Sequence, residues 1–357
     1  MTMTDTTNEL PSFKGVPGWE FTPLKGLDID AFPDAAGETT RSDGAEELAR
    51  DEAEIGAIAR EGFFAARNDE AWTDGTLIRV PANTRIDEPI RIDTVQSQAG
   101  TTLNHRTLII VEDGAEAEVW DTLTTAHEEA GVLNGVVEMH VGANATLRYI
   151  SVQDVNEKSW VFGSQRGVIE RDGNLDWSVI GFGGVNGKVF QETTLAGPGA
   201  DAKVTGAYAT HGKQHVDFDT LQEHAAPNTT SDLAFRGIVA GRSSAVWRGM
   251  IKVDPGAQKT DAFQEARNLL IGSKAHADAI PGLEILADDV ACTHAAAIAK
   301  IDQEQIFYLR SHGLTQTDAE RVVVEGFLGA LVERYKEGPL RDSIGKLIDA
   351  RLELVLN

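Results

Sequence analysis

The sequence predicts a mainly β protein built around a parallel β-helix, with helical regions before and after it. Three observations carry this expectation. From Gly75 to about residue 300, short β-rich runs (Thr76–Val80, Thr107–Val111, Val136–Val141, Thr146–Val152, Val246–Val253) alternate with Gly, Asn and Asp turns, and no long amphipathic helix interrupts them. A turn signature recurs: Val111-Glu112-Asp113-Gly114-Ala115 runs into Ala117–Trp120, and Val141-Gly142-Ala143-Asn144-Ala145 runs into Thr146–Tyr149. The glycines of such units, at 114, 142, 173, 199, 241, 256 and 272, are spaced by 28, 31, 26, 42, 15 and 16 residues, mostly near multiples of about fourteen or fifteen. A strand–turn–strand unit cannot bury its apolar face alone, whereas stacked units share one continuous core. A two-sheet sandwich of hairpins is the rival architecture, but a run of this length is long for one sandwich.

The elements follow in order. Residues 1–40 hold much of the Pro and Gly, with Trp19 and Phe21, and read as a leader that docks a few aromatics. Residues 42–68 read as helical, with Ser42 as the cap, Glu46 and Glu47 near the positive end, and Leu48, Ile55, Ile58 and Ala59 at roughly helical spacing. This divides the chain into a leader and helical region (1–74), a β-helix core (75–300) and a C-terminal helical region (301–357). In the last, Asp302 with Gln305 and Thr317 with Glu320 form capping boxes, and Gly313 and Gly338-Pro339 act as stops. Leu340, Ile344, Leu347, Ile348, Leu352 and Val355 line one stripe, which reads as a docking surface or as a seal on the open end of the solenoid.

Composition narrows the function. The chain has 357 residues, 41% apolar and 25% charged, enough for a substantial core. A formal charge of −24 argues against sequence-independent nucleic-acid binding, which needs a cationic face, and against an anionic membrane surface. Only 12 of the 32 basic residues are Lys, and this skew with the excess of acids reads as adaptation to a salt-rich, halophilic cytosol. No apolar run is long enough to span a membrane, and the polar, Thr-rich start lacks a secretory signal, so the cytoplasm is the expected compartment. The single cysteine, Cys292, excludes an internal disulfide and any cluster held by four of the chain's own thiolates.

Three stretches invite chemistry. Gly181–Lys188 looks like a phosphate loop but lacks the Gly-x4-Gly-Lys-Ser/Thr spacing, so no ATP site is expected in this chain. His211, His215 and His224, with Asp217, Asp219 and Glu223, could form a cupin-like metal site; on a strand His215, Asp217 and Asp219 share one face. The alternative is a polar strip on a sheet. In Asp288-Asp289-Val290-Ala291-Cys292-Thr293-His294, a strand would place Cys292 and His294 on one face, where thiolate and imidazole are both competent iron ligands, with Asp288 or Asp289 to orient the imidazole. A lone cysteine packed as a small apolar residue is the plain alternative. No Gly-x-Ser-x-Gly elbow supports a hydrolase.

Several motifs in order carry a resemblance. Gln214-His215-Val216-Asp217, Glu223-His224, Val253 to Gln264, Asn268-Leu269-Leu270, Pro281 to Ile285, Ala287 to His294 and Phe307 to Ser311 closely resemble the SufB/SufD family of iron–sulfur cluster assembly proteins, densely over about residues 205–330. The Ala-Asp-Asp-Val-x-Cys-x-His string is SufD-like. The SufB-type Cys-Asp-Ser is absent at Thr260-Asp261-Ala262, as is the His-Glu at His294-Ala295. Ala295 also stands where Gly is usual, and His312 where Arg is usual. The resemblance implies a right-handed parallel β-helix and a non-catalytic scaffold that works with a SufB-like paralogue and a SufC-like ABC ATPase; the capped helices and apolar stripe of residues 301–357 are the expected docking surface for that ATPase. It also implies a transient iron–sulfur cluster or its iron near His294 and Cys292 at the partner interface. A SufB-like homodimeric scaffold is the alternative within the family.

Overall fold

The computed structural model describes residue 16 and residues 18–52, 55–56 and 62–356. Two short strands, β1 (Glu38–Arg41) and β2 (Glu46–Glu47), precede helix α1 (Phe63–Ala71). Then come β3 (Asp74–Val80), β4 (Ile90–Gln96), β5 (Thr102–Val111), β6 (Glu116–Thr125), β7 (Val132–Val141), β8 (Thr146–Asp154), β9 (Trp160–Ile169) and β10 (Asn174–Phe182). The series continues with β11 (Asn186–Leu195), β12 (Asp201–Thr210), β13 (His215–His224), β14 (Thr230–Ala240), β15 (Ser244–Val253), β16 (Asp261–Ile271), β17 (His276–Ile285) and β18 (Ala291–Lys300). Helices α2 (Gln303–Ser311), α3 (Gln316–Val332) and α4 (Pro339–Leu356) end the described chain.

Pairing decides between the two architectures. A sandwich of hairpins would join neighbouring strands antiparallel. From β3 onward each strand instead pairs in parallel with the strand two along, as in Thr107↔Val137 and Val137↔Gln165. Odd-numbered strands from β3 to β17 build one wall, completed by β2, and even-numbered strands from β4 to β18 build the other, completed by β1. One turn of the solenoid is therefore one strand from each wall plus two corners. The corners explain the glycine spacing. Asn83, Gly114, Asn144, Asp172, Gly199, Asn228 and Lys259 all have positive φ and stack in one corner, each amide donating to the carbonyl of a residue one turn on, such as Gly114 to Ala143 and Asn144 to Arg171. Gly, Asn and Asp tolerate that conformation best. Gly212, Gly241 and Gly272 belong to the other corner, so intervals of about half a turn arise where the two series interleave.

The core is the lumen between the walls. Val80, Val111, Val141, Ile169, Leu195, His224 and Val253 are successive register partners in one inward-facing ladder. Each buried aliphatic side chain of this kind contributes about 1.5–3 kcal/mol. The outer face of the even wall is apolar too. Ile150, Val152, Ile180, Phe182, Ala207, Ala209 and Ile238 pack against α2–α4. The stripe predicted as a docking surface or an end seal is spent here: Ile344, Ile348, Leu352 and Val355 are buried against this flank. Arg351 pins it, with a side chain 4% exposed that reaches Glu157 at 3.3 Å and Gln214 Oε1 at 3.3 Å.

Two local expectations differ from the structure. Ser42 does not cap a helix; its hydroxyl accepts from the Arg91 amide at 2.8 Å, and Glu46–Glu47 are a strand. The nearby helix is α1, where Phe64 and Ala65 turn inward; Ile58 and Ala59 lie outside the described residues. Sequence spacing could not separate a short helix from a strand that closes a sheet edge. Asp302 caps α2 through the Glu304 amide, as expected. Helix α3 starts two residues earlier than Thr317: Thr315 caps it and closes a box with Asp318.

Candidate functional site at the open last turn

The two ends of the solenoid are unlike. At the first end, β1 and β2 pair antiparallel with β4 and β3 and close the sheet edges. At the other end β17 and β18 each have one neighbour, β15 and β16, so among the described residues their outer edges are unpaired. Both faces of β18 are open: only Cys292 and Ala295 are even partly covered. Leu283, Ile285, Leu286 and Ile298 are 37–53% exposed around this rim. Bare strand edges beside apolar side chains invite pairing with another chain.

His294 lies on this rim. It is exposed, is the register partner of Gln264, and makes no hydrogen bond among the described residues. Alternation puts it on the same face as Cys292, the register partner of Ala262. That face continues the lumen-facing row of β16, where Ala262 and Gln264 are buried. Gln264 crosses the lumen, its amide nitrogen donating to the carbonyls of Gly249 at 3.3 Å and Gly282 at 3.1 Å, and so ties the walls together beneath His294. Cys292 differs from His294: it packs beside Ile251, Val253, Ala257 and Ala262. Burial pushes its thiol above the ordinary value and the Asp261 carboxylate adds to that, so the thiolate is disfavoured in the isolated chain. Asp288 and Asp289 are not on β18. They occupy the corner before it, where the Lys259 amide donates to the Asp289 carbonyl, and no hydrogen bond joins either side chain to His294 among the described residues.

The histidine-rich stretch does not converge. His215, Asp217 and Asp219 share the outer face of β13, as alternation requires. His215 Nδ1 is 2.7 Å from the Ser244 hydroxyl, and Asp217 is bound to Lys188 Nζ at 2.7 Å and to the Thr22 hydroxyl. His224 faces the lumen, between Thr229 and Ser231 at 2.8 Å each. His211 is in the corner before β13, against Glu157 at 2.5 Å. Among the described residues no three His, Cys, Asp or Glu side chains converge on one point. The glycine-rich Gly181–Lys188 stretch holds the end of β10, the corner at Gly183, Gly184 and Val185, and the start of β11: Gly183 has φ +77, and a Cβ there would fall 1.7 Å from the Val155 carbonyl oxygen.

Sequence reasoning missed the rim itself. It placed a strand–turn–strand unit at Gly272 but not the end of the stack, and exposure of Leu283, Ile285 and Ile298 depends on the solenoid ending there. It also missed Phe307 and Tyr308 of α2, 75% and 63% exposed.

The fold is a parallel β-solenoid flanked by helices, its first turn bordered by antiparallel strands and its last turn ending in β17 and β18. The chain belongs to the SufB/SufD family: the family described as "SUF system FeS cluster assembly, SufBD core domain" matches residues 94–327. It is 28% identical over 299 residues to an iron–sulfur cluster assembly SufBD family protein of Mycobacterium leprae, covering 81% of this chain and 75% of that one. It is 28% identical over 282 residues to the iron–sulfur cluster assembly protein SufD of Bacillus subtilis, covering 78% of this chain and 64% of that one. No helix among the described residues is long and apolar enough to cross a membrane.

Proposed function

We propose that the chain is a SufD-like scaffold subunit, not itself an enzyme, that supports iron–sulfur cluster formation together with a SufB-like paralogue and a SufC-like ATPase. The observation that carries this reading is the open last turn, where unpaired edges, exposed apolar side chains and His294 coincide. A partner that extends both sheets would enclose His294 and give its imidazole nitrogen a place beside thiolates from the other chain. The cluster is cargo passing through this interface. Cys292 is the weaker ligand because its thiol is held up by burial. The ATPase would dock on the exposed surface of α2 and α3. A free thiol suits a reducing compartment, and we assign the complex to the cytoplasm.

The test is the intact complex purified from its host. Stoichiometric recovery of a Cys-richer paralogue and an ABC ATPase supports the assignment; a chain that self-associates and brings no paralogue favours a homodimeric scaffold. His294→Ala should leave the subunits assembled and reduce cluster absorbance after reconstitution at least tenfold. Assembly lost in that variant would make His294 an interface residue only, and undiminished cluster yield would remove it from the site.

A further inference from the structure

The lumen contains a cavity of about 40 Å³ that the open turn does not use. His105 of β5 and Asp121 of β6 face it from opposite walls, with Tyr149, Ser151, Gln153 and Gln165 beside them. Glycines make the room: a Cβ on Gly135 would fall 2.4 Å from His105 Cε1, and one on Gly181 2.6 Å from Phe218 Cζ. Asp121 Oδ2 accepts hydrogen bonds from the Thr107 hydroxyl at 3.0 Å and the Tyr149 hydroxyl at 2.9 Å. His105 Nδ1 is buried and has no hydrogen-bond partner among the described residues. Among the described residues no Lys or Arg lines the cavity. Burial pushes the His105 pKa down and the Asp121 pKa up, and each group's charge opposes that shift in the other. The lumen thus holds a carboxyl group without a cationic side chain and an imidazole nitrogen without a partner, a costly pair to leave unused.

We propose that this cavity is a site for one divalent transition-metal ion, with His105 and Asp121 as its two protein ligands. A mixed nitrogen and oxygen set suits zinc, iron(II) or manganese(II). At about 10–15 Å³ per water-sized species, 40 Å³ accommodates about three. An ion with two waters, one imidazole and one carboxylate completes a four-coordinate site. Thr107 and Tyr149 grip the carboxylate from behind and fix its orientation, the role that outer hydrogen bonds play at metal centres. With only two protein ligands the ion is exchangeable, unlike a closed structural zinc. Asp121 on β6 lies six strands along the even wall from His294 on β18, so the site does not depend on the function assigned to His294.

Cobalt(II) is the probe. The full chain is stripped with chelator, refolded with or without cobalt, and passed through gel filtration, and bound metal and visible ligand-field absorption are measured. We expect one cobalt per chain in the wild type and in His294→Ala, with binding at least tenfold weaker in His105→Gln and in Asp121→Asn. Absence of cobalt from the folded wild-type chain overturns the proposal. So does cobalt that disappears in His294→Ala, which places the metal at the open turn, or binding that persists unchanged in both lumen variants. Should the lumen variants not fold, one cobalt retained by His294→Ala supports the site.

Discussion

Two ionisable side chains in the odd wall meet burial in different ways. Lys188, 1% exposed, keeps a carboxylate partner, Asp217, at 2.7 Å and a second, Asp219, at 3.8 Å, under a lid formed by Thr22 and Trp19. Removing one partner of such a pair strands the other, at a cost of about 3–5 kcal/mol. Asp217→Asn should lower unfolding free energy by that order in urea titration; a loss of under about 1 kcal/mol would mean that water reaches Lys188. His224 sits among apolar ladder neighbours, and burial pulls its pKa down to about 4; burial, then Lys188, pulls His215 down to about 4 as well. Both are neutral at pH 7. Below about 6.5 the unfolded chain takes up protons that the folded chain refuses, so stability falls as pH drops from 6.5 towards 4, by up to about 1.4 kcal/mol per pH unit for each histidine. Denaturation midpoints measured across that range should fall steeply in the wild type and less so in His224→Val; a flat wild-type profile would contradict the burial argument. The sequence marked His215 and His224 as candidate ligands; nine residues apart on one strand, they face opposite sides by alternation, and what the sequence could not show is the hydroxyl partners that each already has. That Cys292 and His294 share a face was legible because both lie on one strand.

At the level of elements, the capped C-terminal helices were legible in the sequence, but the use of their apolar stripe was not. Helical periodicity shows that a face is apolar, and only the stacked even wall shows what covers it. With that stripe buried, the apolar surface left on the helices is Phe307, Tyr308 and Val322, with Leu354 on α4. Exposed aromatics on one helix are common anchors of an interface. Phe307→Ala with Tyr308→Ala should weaken ATPase capture at least tenfold without shifting the melting temperature by more than a few degrees, since neither ring is in the core. Capture at wild-type strength would move docking away from α2. The leader shows the converse limit. Trp19 packs against Phe64 and Phe162 on the odd wall, as an aromatic-docking leader should, yet Ser42 to Glu47 became turn and strand because bridging a free sheet edge outweighs weak helical spacing.

For the whole molecule, the charge of −24 should decide how folding responds to salt. Some attraction is built in: Arg166, Glu192, Glu223, Lys252 and Asp254 form an ion-pair ladder across neighbouring strands. These few contacts are outnumbered by unbalanced acids, so shortening the screening distance from about 10 Å at 0.1 M to about 3 Å at 1 M should stabilise the fold. Melting temperature should rise across a potassium chloride series. A flat or falling trend would set aside the salt-rich cytosol. The β-helix itself was legible because each turn repeats the same local solution; its two ends were not, because nothing in a repeat announces that it is the last.

The stacked corner of positive-φ residues also limits how such a chain can change length. Equivalent corner positions recur every 27–31 residues from Asn83 to Lys259. Gain or loss of a whole turn, such as the stretch from Asp172 to just before Gly199, returns every later side chain to its own wall and its own face. Loss of half a turn would send odd strands to the even wall, and loss of a single residue within a strand would exchange lumen for solvent along the rest of it. Length variation in this chain is therefore quantised in turns, and the distance between its first and last turns can change only in steps of one strand spacing, about 4.8 Å.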